Sequence, residues 1–515
     1  MSPGTKVSPR PTGLSSQESL ENRLYGEKQM TTLAMPAIGA SSACLLKWDA
    51  IDWRQAEQQV KRLQMRIAKA VREGRWGKVK ALQWLLTHSW SAKLLAVRRV
   101  VKNPGHRTPG VDRVVWTTPA QKMRAARSLQ RRGYQPQPLR RIYIPKKSGK
   151  LRPLSIPVMD DRAMQALHLL ALEPVSETLA DQNSYGFRPY RSTADAIGQC
   201  FTVLAQKQSA QWILEGDIKA CFDRISHRWL ERHIPVDKAI LKKWLAAGYI
   251  EKEVFYATKA GTPQGGIASP AIANMALDGL EQAIIKAAPR NAKIHYVRFA
   301  DDFIVTGASK EILEQRVKPA IETFLQARGL ELSLEKTQIT HIDDGFDLLG
   351  FNLRKYNGKL LIKPAKDNVK TFLATVRGIV KANPTAKTID LIRALNPKIR
   401  GWANYYRHVV AKRTFQRVDD SIYHALQRWI KQRHPNKNAH WQRQRYFRSQ
   451  GLRNWVFSVK VQRKDGHREQ LDLFRADSVA IRRHVKIKAQ ATPYDPQYRA
   501  YFERRGRPKA SYTYM

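Results

Sequence analysis

The chain has 515 residues, with 91 Lys and Arg against 43 Asp and Glu, giving a formal net charge of +48; a compact protein that basic repels itself unless a polyanion neutralises it. Its 43% hydrophobic and 9% aromatic residues supply sizeable cores, which excludes a chain disordered throughout. No apolar run reaches the roughly 18 residues of a membrane span, no signal-peptide core follows Met1, and Cys44, Cys200 and Cys221 form no CxxC, against a disulfide framework or a cysteine zinc site.

Residues 1–45 are rich in Ser, Gly, Pro and Thr and read as a flexible leader. From Trp53 the pattern turns helical, with Val60, Leu63, Ile67 and Val71 on one face and Lys61, Arg62, Arg66, Lys69 and Arg72 on others. In so basic a chain Arg62 and Arg66 are assigned to nucleic-acid contact. Residues 100–160 are basic and loop-rich. Two short apolar segments flank Ser148-Gly149 in Arg140-Arg141-Ile-Tyr-Ile-Pro-Lys-Lys-Ser-Gly-Lys150-Leu-Arg152-Pro, which predicts a cation-bearing hairpin. Lys150 and Arg152 suit an incoming triphosphate, one as a point charge and one as a fork. Arg140 and Arg141 join the nucleic-acid contacts.

Helical patterns fill about 161–210, and short apolar strands follow at 212–217, 294–299 and 303–306. An amphipathic helix over 310–330 precedes short strands near 339–353. Pro384 and Pro397 punctuate the next region, and 398–433 is helical and basic, placing Arg400, Lys412, Arg413 and Lys431 toward RNA. In the basic tail, 481–488 alternates as a strand with a cationic face that includes Arg482 and Lys486. The mixture predicts an α+β core, a helical domain and a basic appendage.

Two acidic clusters stand out. An apolar strand runs into Asp217 in Asp-Ile-Lys-Ala-Cys-Phe-Asp (217–223), and apolar residues bracket Asp301-Asp302, which fits a hairpin with acids in its turn. Adjacent aspartates are usually turn formers. Three converging carboxylates, however, repel one another unless divalent cations sit between them, and two Mg²⁺ ions held there would serve in-line phosphoryl transfer. Between the clusters lies Gly-Thr-Pro-Gln-Gly-Gly (261–266), whose glycines let backbone approach a base pair or phosphate.

With these residues laid out, the chain resembles the reverse transcriptases, or maturases, encoded by group II introns, collinearly from about Trp53 to about Tyr501. The marks are Arg-Pro-Leu-Ser-Ile-Pro (152–157), Ser-Tyr-Gly-Phe-Arg-Pro (184–189), the 217–223 and 261–266 blocks, and Phe-Ala-Asp-Asp (299–302). Gly-Leu-Glu-Leu-Ser-Leu-Glu-Lys-Thr (329–337), Phe-Asp-Leu-Leu-Gly-Phe (346–351) and the maturase-like Leu-Asn-Pro-Lys-Ile-Arg-Gly-Trp-Ala-Asn-Tyr-Tyr (395–406) complete the series.

The resemblance implies a right-hand polymerase: leader 1–45, N-terminal extension and fingers 46–210, palm 211–360, thumb or maturase domain 361–440, and a DNA-binding region 441–515. Asp217 and Asp301 become the principal ligands of two Mg²⁺ ions, with Asp302 beside them, and no zinc is expected. Phe222 takes the position that blocks a nucleotide 2′-hydroxyl, Ile218 and Gln264 line the dNTP site, and Lys336 lies near the leaving pyrophosphate. Arg188 joins the nucleic-acid contacts. The implied partners are the chain's own intron RNA, target DNA and dNTPs, with no membrane, for a monomer or homodimer in the cytoplasm or on the nucleoid. The implied function is RNA-directed DNA synthesis, splicing assistance, and copying of the inserted intron from a primer in target DNA; the alternatives are a splicing-only maturase or a polymerase recruited to host defence. Two departures stand out. Phe299 stands where Tyr is commoner, and no cysteine follows Cys221, so the zinc-supported H-N-H endonuclease of many relatives is not expected here.

Overall fold

The computed structural model describes residues 47–145, 149, 151–451, 453–462 and 467–505. The expected leader and Lys150 lie outside them. The chain divides into two units, Met1–Ile51, of which the single turn Trp48–Ala50 is described, and Asp52–Met515, which holds everything discussed below.

Asp52 accepts a hydrogen bond from the Gln55 amide and starts the helix Trp53–Arg72. Its Val60, Ile67 and Val71 are buried while Arg62 and Arg66 are exposed, the two faces anticipated above. This helix and Trp90–Lys102 pack on Met159–Leu179.

The cation-bearing hairpin forms from β1 (Leu139–Pro145) and β2 (Leu151–Ile156), with Arg152 opposite Ile144. It extends through a parallel contact to β4 (Tyr249–Glu251) and then β5 (Val254–Tyr256), giving the order β2-β1-β4-β5. A second sheet, β6-β7-β3-β8, is antiparallel and built from β3 (Trp212–Asp217), β6 (Tyr296–Phe299), β7 (Asp302–Gly307) and β8 (Gln338–His341). A third joins β9 (Phe346–Leu348), β10 (Phe351–Tyr356) and β11 (Lys359–Pro364).

Helices Lys366–Ala382, Thr388–Tyr406 and Lys412–Arg433 follow and share one apolar core with the third sheet. Pro397, expected to break the chain, sits inside Thr388–Tyr406. The buried face Leu391, Ile392, Leu395, Ile399 and Ala403 outweighs the one helical hydrogen bond that proline lacks. Trp402, Tyr405 and Tyr406 stack against Phe351, Phe372 and Phe415, and the two tyrosine hydroxyls donate to the carbonyls of Leu349 and Gly350. This aromatic run is therefore core, tied to the 346–351 block.

The described residues close with β12 (Phe447–Gln450), β13 (Arg453–Gln462) and β14 (Arg468–Asp472), then a strap over 481–505. The strand expected over 481–488 does not form. Its polar groups go to the helix Thr193–Leu204 instead: buried Asp195 accepts from the Ile487 amide, His484 and Arg505. β11 runs across the expected 360/361 boundary, and the helix Ala439–Tyr446 across 440/441. No helix among the described residues is long and apolar enough to cross a membrane.

Candidate active site

The ladder between β3 and β7 sets Asp217 directly opposite Asp302. Asp301 occupies the turn between β6 and β7, where Ala300 adopts a left-handed φ of 59°. Three carboxylates from two sequence-distant segments thus share one sheet end. Burial and the Asp217 charge raise the pKa of Asp301. Burial and the charges of Asp301 and Asp217 push that of Asp302 up to about 7. The corner carries more negative charge than its surroundings compensate.

Among the described residues, Lys336 supplies the cation in direct contact, its Nζ lying 2.5 Å from an Asp217 carboxylate oxygen. It reaches there because Ser333 donates its amide to the Asp217 carbonyl and Ile218 pairs with Leu332. Among the described residues no group of three or more His, Cys, Asp and Glu is placed so as to hold a metal ion. The donor chemistry nevertheless fits Mg²⁺: hard carboxylate oxygens of Asp217, Asp301 and Asp302 gathered at one strand end.

Phe222 is half-buried in the short helix Cys221–Arg224, and its ring meets Phe187 edge to face at 6.0 Å. The 261–266 loop is pinned against this helix: the Gly261 amide donates to the Ile225 carbonyl and the Thr262 amide to that of Phe222. Gly261 has φ 86°, and a Cβ there would meet the Phe222 carbonyl oxygen at 2.5 Å, so this position requires glycine. Exposed Arg152 donates through Nε to Gln264 at 3.0 Å, and Gln264 donates to Asp223 at 3.2 Å. A cavity of about 300 Å³ continues from this string between the first sheet and the loop, lined by Arg141, Trp244, Tyr249, Asp223 and Gln264.

Three expected contacts need correction. Ile218 cannot present its side chain to a nucleotide, because it is 1% exposed and belongs to the core beneath the strand end. Arg188 cannot reach nucleic acid. It is 5% exposed, pairs with Glu177 through two 2.9 Å bonds, and donates to the carbonyls of Asp181 and Ser184. Lys486 is half-buried and spends its ammonium on Gln199, an outcome of the strap that no local pattern signals.

Among the remaining cations, Arg62, Arg66, Arg413, Lys431 and Arg482 are exposed. Arg400 is exposed over the Phe474 ring, and Lys412 donates to the Asp477 carbonyl. Arg140 and Arg141 are half-buried, with Arg141 stacked 3.8 Å from the Tyr249 ring centroid. Replacing Arg62 and Arg66 together by alanine is expected to flatten the salt dependence of RNA affinity, by about 0.7–0.9 in log–log slope per lost phosphate contact. Filter binding at several salt concentrations measures it.

The residues that sequence reasoning missed lie behind the turn: Arg298, Asn274 and Asp278. The available signal was a cation inside the apolar run Tyr296-Val297-Arg298-Phe299, which a buried strand tolerates only with buried partners.

Comparison with known proteins gives three family matches. Residues 144–353 match the model of reverse transcriptase (RNA-dependent DNA polymerase), 48–129 that of the N-terminal domain of reverse transcriptase, and 369–447 that of the group II intron maturase-specific domain. Protein YkfC of Escherichia coli (strain K12) is 32% identical over 54% of this chain and 83% of its own length. Group II intron-encoded protein LtrA of Lactococcus lactis subsp. cremoris is 27% identical over 61% of this chain and 68% of its own. A solved structure of telomerase from Candida albicans, complexed with a fragment of telomeric RNA, aligns at a TM-score of 0.34 and 14% identity over 58% of this chain and 61% of that one.

Proposed function

The chain belongs to the group II intron-encoded reverse transcriptases and maturases, and on that premise we propose that it extends a DNA primer along its own intron RNA at the Asp217–Asp301–Asp302 corner. The RNA-directed DNA polymerase activity and the splicing role come with the family. The residue roles, the two-metal chemistry and the natural substrates are this proposal. The observation that carries it is the strand register that opposes Asp217 to Asp302 with Asp301 in the adjoining turn.

A primer 3′-hydroxyl attacks the α-phosphate of a dNTP, and pyrophosphate leaves. Asp217 and Asp301, with Asp302 beside them, would hold two Mg²⁺ ions, which supply polarisation of the hydroxyl and neutralisation of the departing charge. Arg152 exchanges Gln264 for the triphosphate, a richer acceptor for a guanidinium fork. Gln264, once released, faces the nascent base pair from the 261–266 loop. Lys336 neutralises Asp217 before substrate arrives and turns its ammonium to the pyrophosphate afterwards. Phe222, backed by Phe187, closes the space a 2′-hydroxyl needs.

Phe222→Ala is therefore expected to raise rNTP incorporation about tenfold or more relative to dNTP, the scale of a lost steric rejection of ~1.4 kcal/mol or above. Single-nucleotide incorporation kinetics check it, and an unchanged preference removes Phe222 as the gate. Residues 46–210 act as N-terminal extension and fingers, 211 to the end of β11 as palm, and the helices from Lys366 to Arg433 as thumb, with exposed cations such as Arg413 and Lys431 on the RNA side.

The physiological substrate is the intron inserted in target DNA, primed from a nicked strand. A ribonucleoprotein of this chain and its intron RNA, given a nicked target duplex and dNTPs, is expected to yield cDNA covalently joined to the nick. Free cDNA alone, with the nick unextended, would remove the target-primed step and leave the polymerase.

A further inference from the structure

Arg298 is fully buried at 0% exposure on β6, directly before the aspartate turn. Its Nη1 donates to Asn274 Oδ1 at 3.0 Å and to the Ala300 carbonyl at 3.4 Å, and its Nη2 donates to Asp278 at 2.7 Å. Asn274 is also buried, and its Nδ2 donates to the Gly186 carbonyl at 2.8 Å. A guanidinium only donates and a carbonyl only accepts, so these two partners fix the orientation of the amide.

Three stretches far apart in sequence meet at this one amide. Arg298 and the Ala300 carbonyl bring the aspartate turn. Gly186 brings the 184–189 loop. Asn274 itself lies on the helix Ser269–Leu277, which follows the 261–266 loop. The loop and turn are in close contact, since a Cβ on Gly186 would lie 2.3 Å from the Ala300 amide nitrogen. The residue after Gly186 is Phe187, held at φ 57°, whose ring backs Phe222. One end of the network therefore touches the turn that carries Asp301, and the other touches the loop that carries Phe187.

We propose that Arg298 and Asn274 are positioning residues with separable tasks: Arg298 sets the aspartate turn, and so metal affinity and turnover, while Asn274, through the Gly186 carbonyl, sets the Phe187–Phe222 pair and so sugar selection. This rests on the roles given above to the aspartates and Phe222. It adds two residues that touch neither substrate nor metal.

Two conservative variants pull the tasks apart. Asn274→Asp keeps an acceptor for Arg298 but sets a second acceptor against the Gly186 carbonyl. Arg298→Lys keeps a charge beside Asp278 but cannot span Asn274 and Ala300 together. Each is compared with the parent by thermal melting, by the dNTP:rNTP ratio of kcat/KM, and by Mn²⁺ binding followed by electron paramagnetic resonance. Asn274→Asp is expected to lower the selectivity ratio about fivefold, the scale of one lost hydrogen bond, with Mn²⁺ affinity held. Arg298→Lys is expected to lower kcat by about 100-fold, the scale of an ångström misplacement, and to weaken Mn²⁺ binding with the selectivity ratio held.

A partly unfolded preparation changes neither the ratio nor the affinity of its folded fraction, so a purely structural role moves neither. Phe187→Leu, which leaves every one of these hydrogen bonds in place, supplies a second route to the selectivity arm. Intact selectivity in folded Phe187→Leu or Asn274→Asp overturns that arm, and unchanged Mn²⁺ affinity in Arg298→Lys overturns the other. If the parent extends no primer, the polymerase reading fails by itself, and the Mn²⁺ titration still decides the task of Arg298.

Discussion

Asp301→Ala is expected to abolish RNA-templated DNA synthesis, by about 10³-fold or more, while intron-RNA affinity stays within about threefold. The loss is large because Asp301 occupies the β6–β7 turn, beside the β3–β7 register that brings Asp302 to Asp217, so its carboxylate enters the corner from a position no other strand supplies. The fold does not suffer. Asp301 carries a raised pKa through burial and the Asp217 charge, and Asp302 through burial and the charges of Asp301 and Asp217, so deleting the Asp301 charge is expected to relieve the corner instead of weakening it. RNA affinity persists because exposed cations such as Arg62, Arg66, Arg413 and Lys431 lie on other elements. Primer extension and filter binding on one preparation measure both. Equal loss of synthesis and RNA binding would contradict the separation of roles.

Arg188→Met is expected to lower stability by about 3–5 kcal/mol, the cost of leaving a buried ion pair half-made. Glu177 is nearly as buried as Arg188, so removing the guanidinium strands a carboxylate in the interior and frees the Asp181 and Ser184 carbonyls. The midpoint of urea unfolding reads the change. Adding Glu177→Gln should recover part of it, since the second substitution removes the stranded charge. The salt slope of RNA binding stays at the parent value. A normal midpoint together with a flatter salt slope would return Arg188 to the RNA-facing surface.

The contrast between Asp301 and Arg188 shows what the chain's pattern could convey. Strand ends, the hairpin around Gly149 and the acids in the β6–β7 turn are local events, written in periodicities of two and in turn residues, and they were legible. Arg188 was not, because an arginine in a polar loop looks the same whether it meets phosphate or a glutamate eleven residues upstream; only the packing of the helix Met159–Leu179 brings Glu177 to it. Lys486 failed for the same reason at longer range, since its partner Gln199 lies 287 residues away. Pro397 failed because tertiary burial of one helix face overrode a local breaker. The support behind the aspartates is a case between these: Arg298 was visible as a misplaced charge, but Asn274 and Gly186 become its partners only through the fold.

These comparisons also separate what carries the chemistry from what holds it. In the proposed mechanism the aspartates, Arg152, Gln264 and Lys336 are the groups that would change partners as substrate arrives. Arg298, Asn274, Arg188 and Glu177 are buried and keep theirs. The strap from 481 to 505 adds a further anchor, binding the end of the chain to Asp195 and to the first long helix through the Arg72–Asp495 pair.

The most direct measurement is Mg²⁺-dependent extension of a DNA primer on an RNA template, with the natural chain and Asp217→Ala run side by side. The account predicts extension that requires both Mg²⁺ and Asp217, with the two proteins melting alike. Extension that survives in Asp217→Ala would contradict the placement of the active site at this strand end.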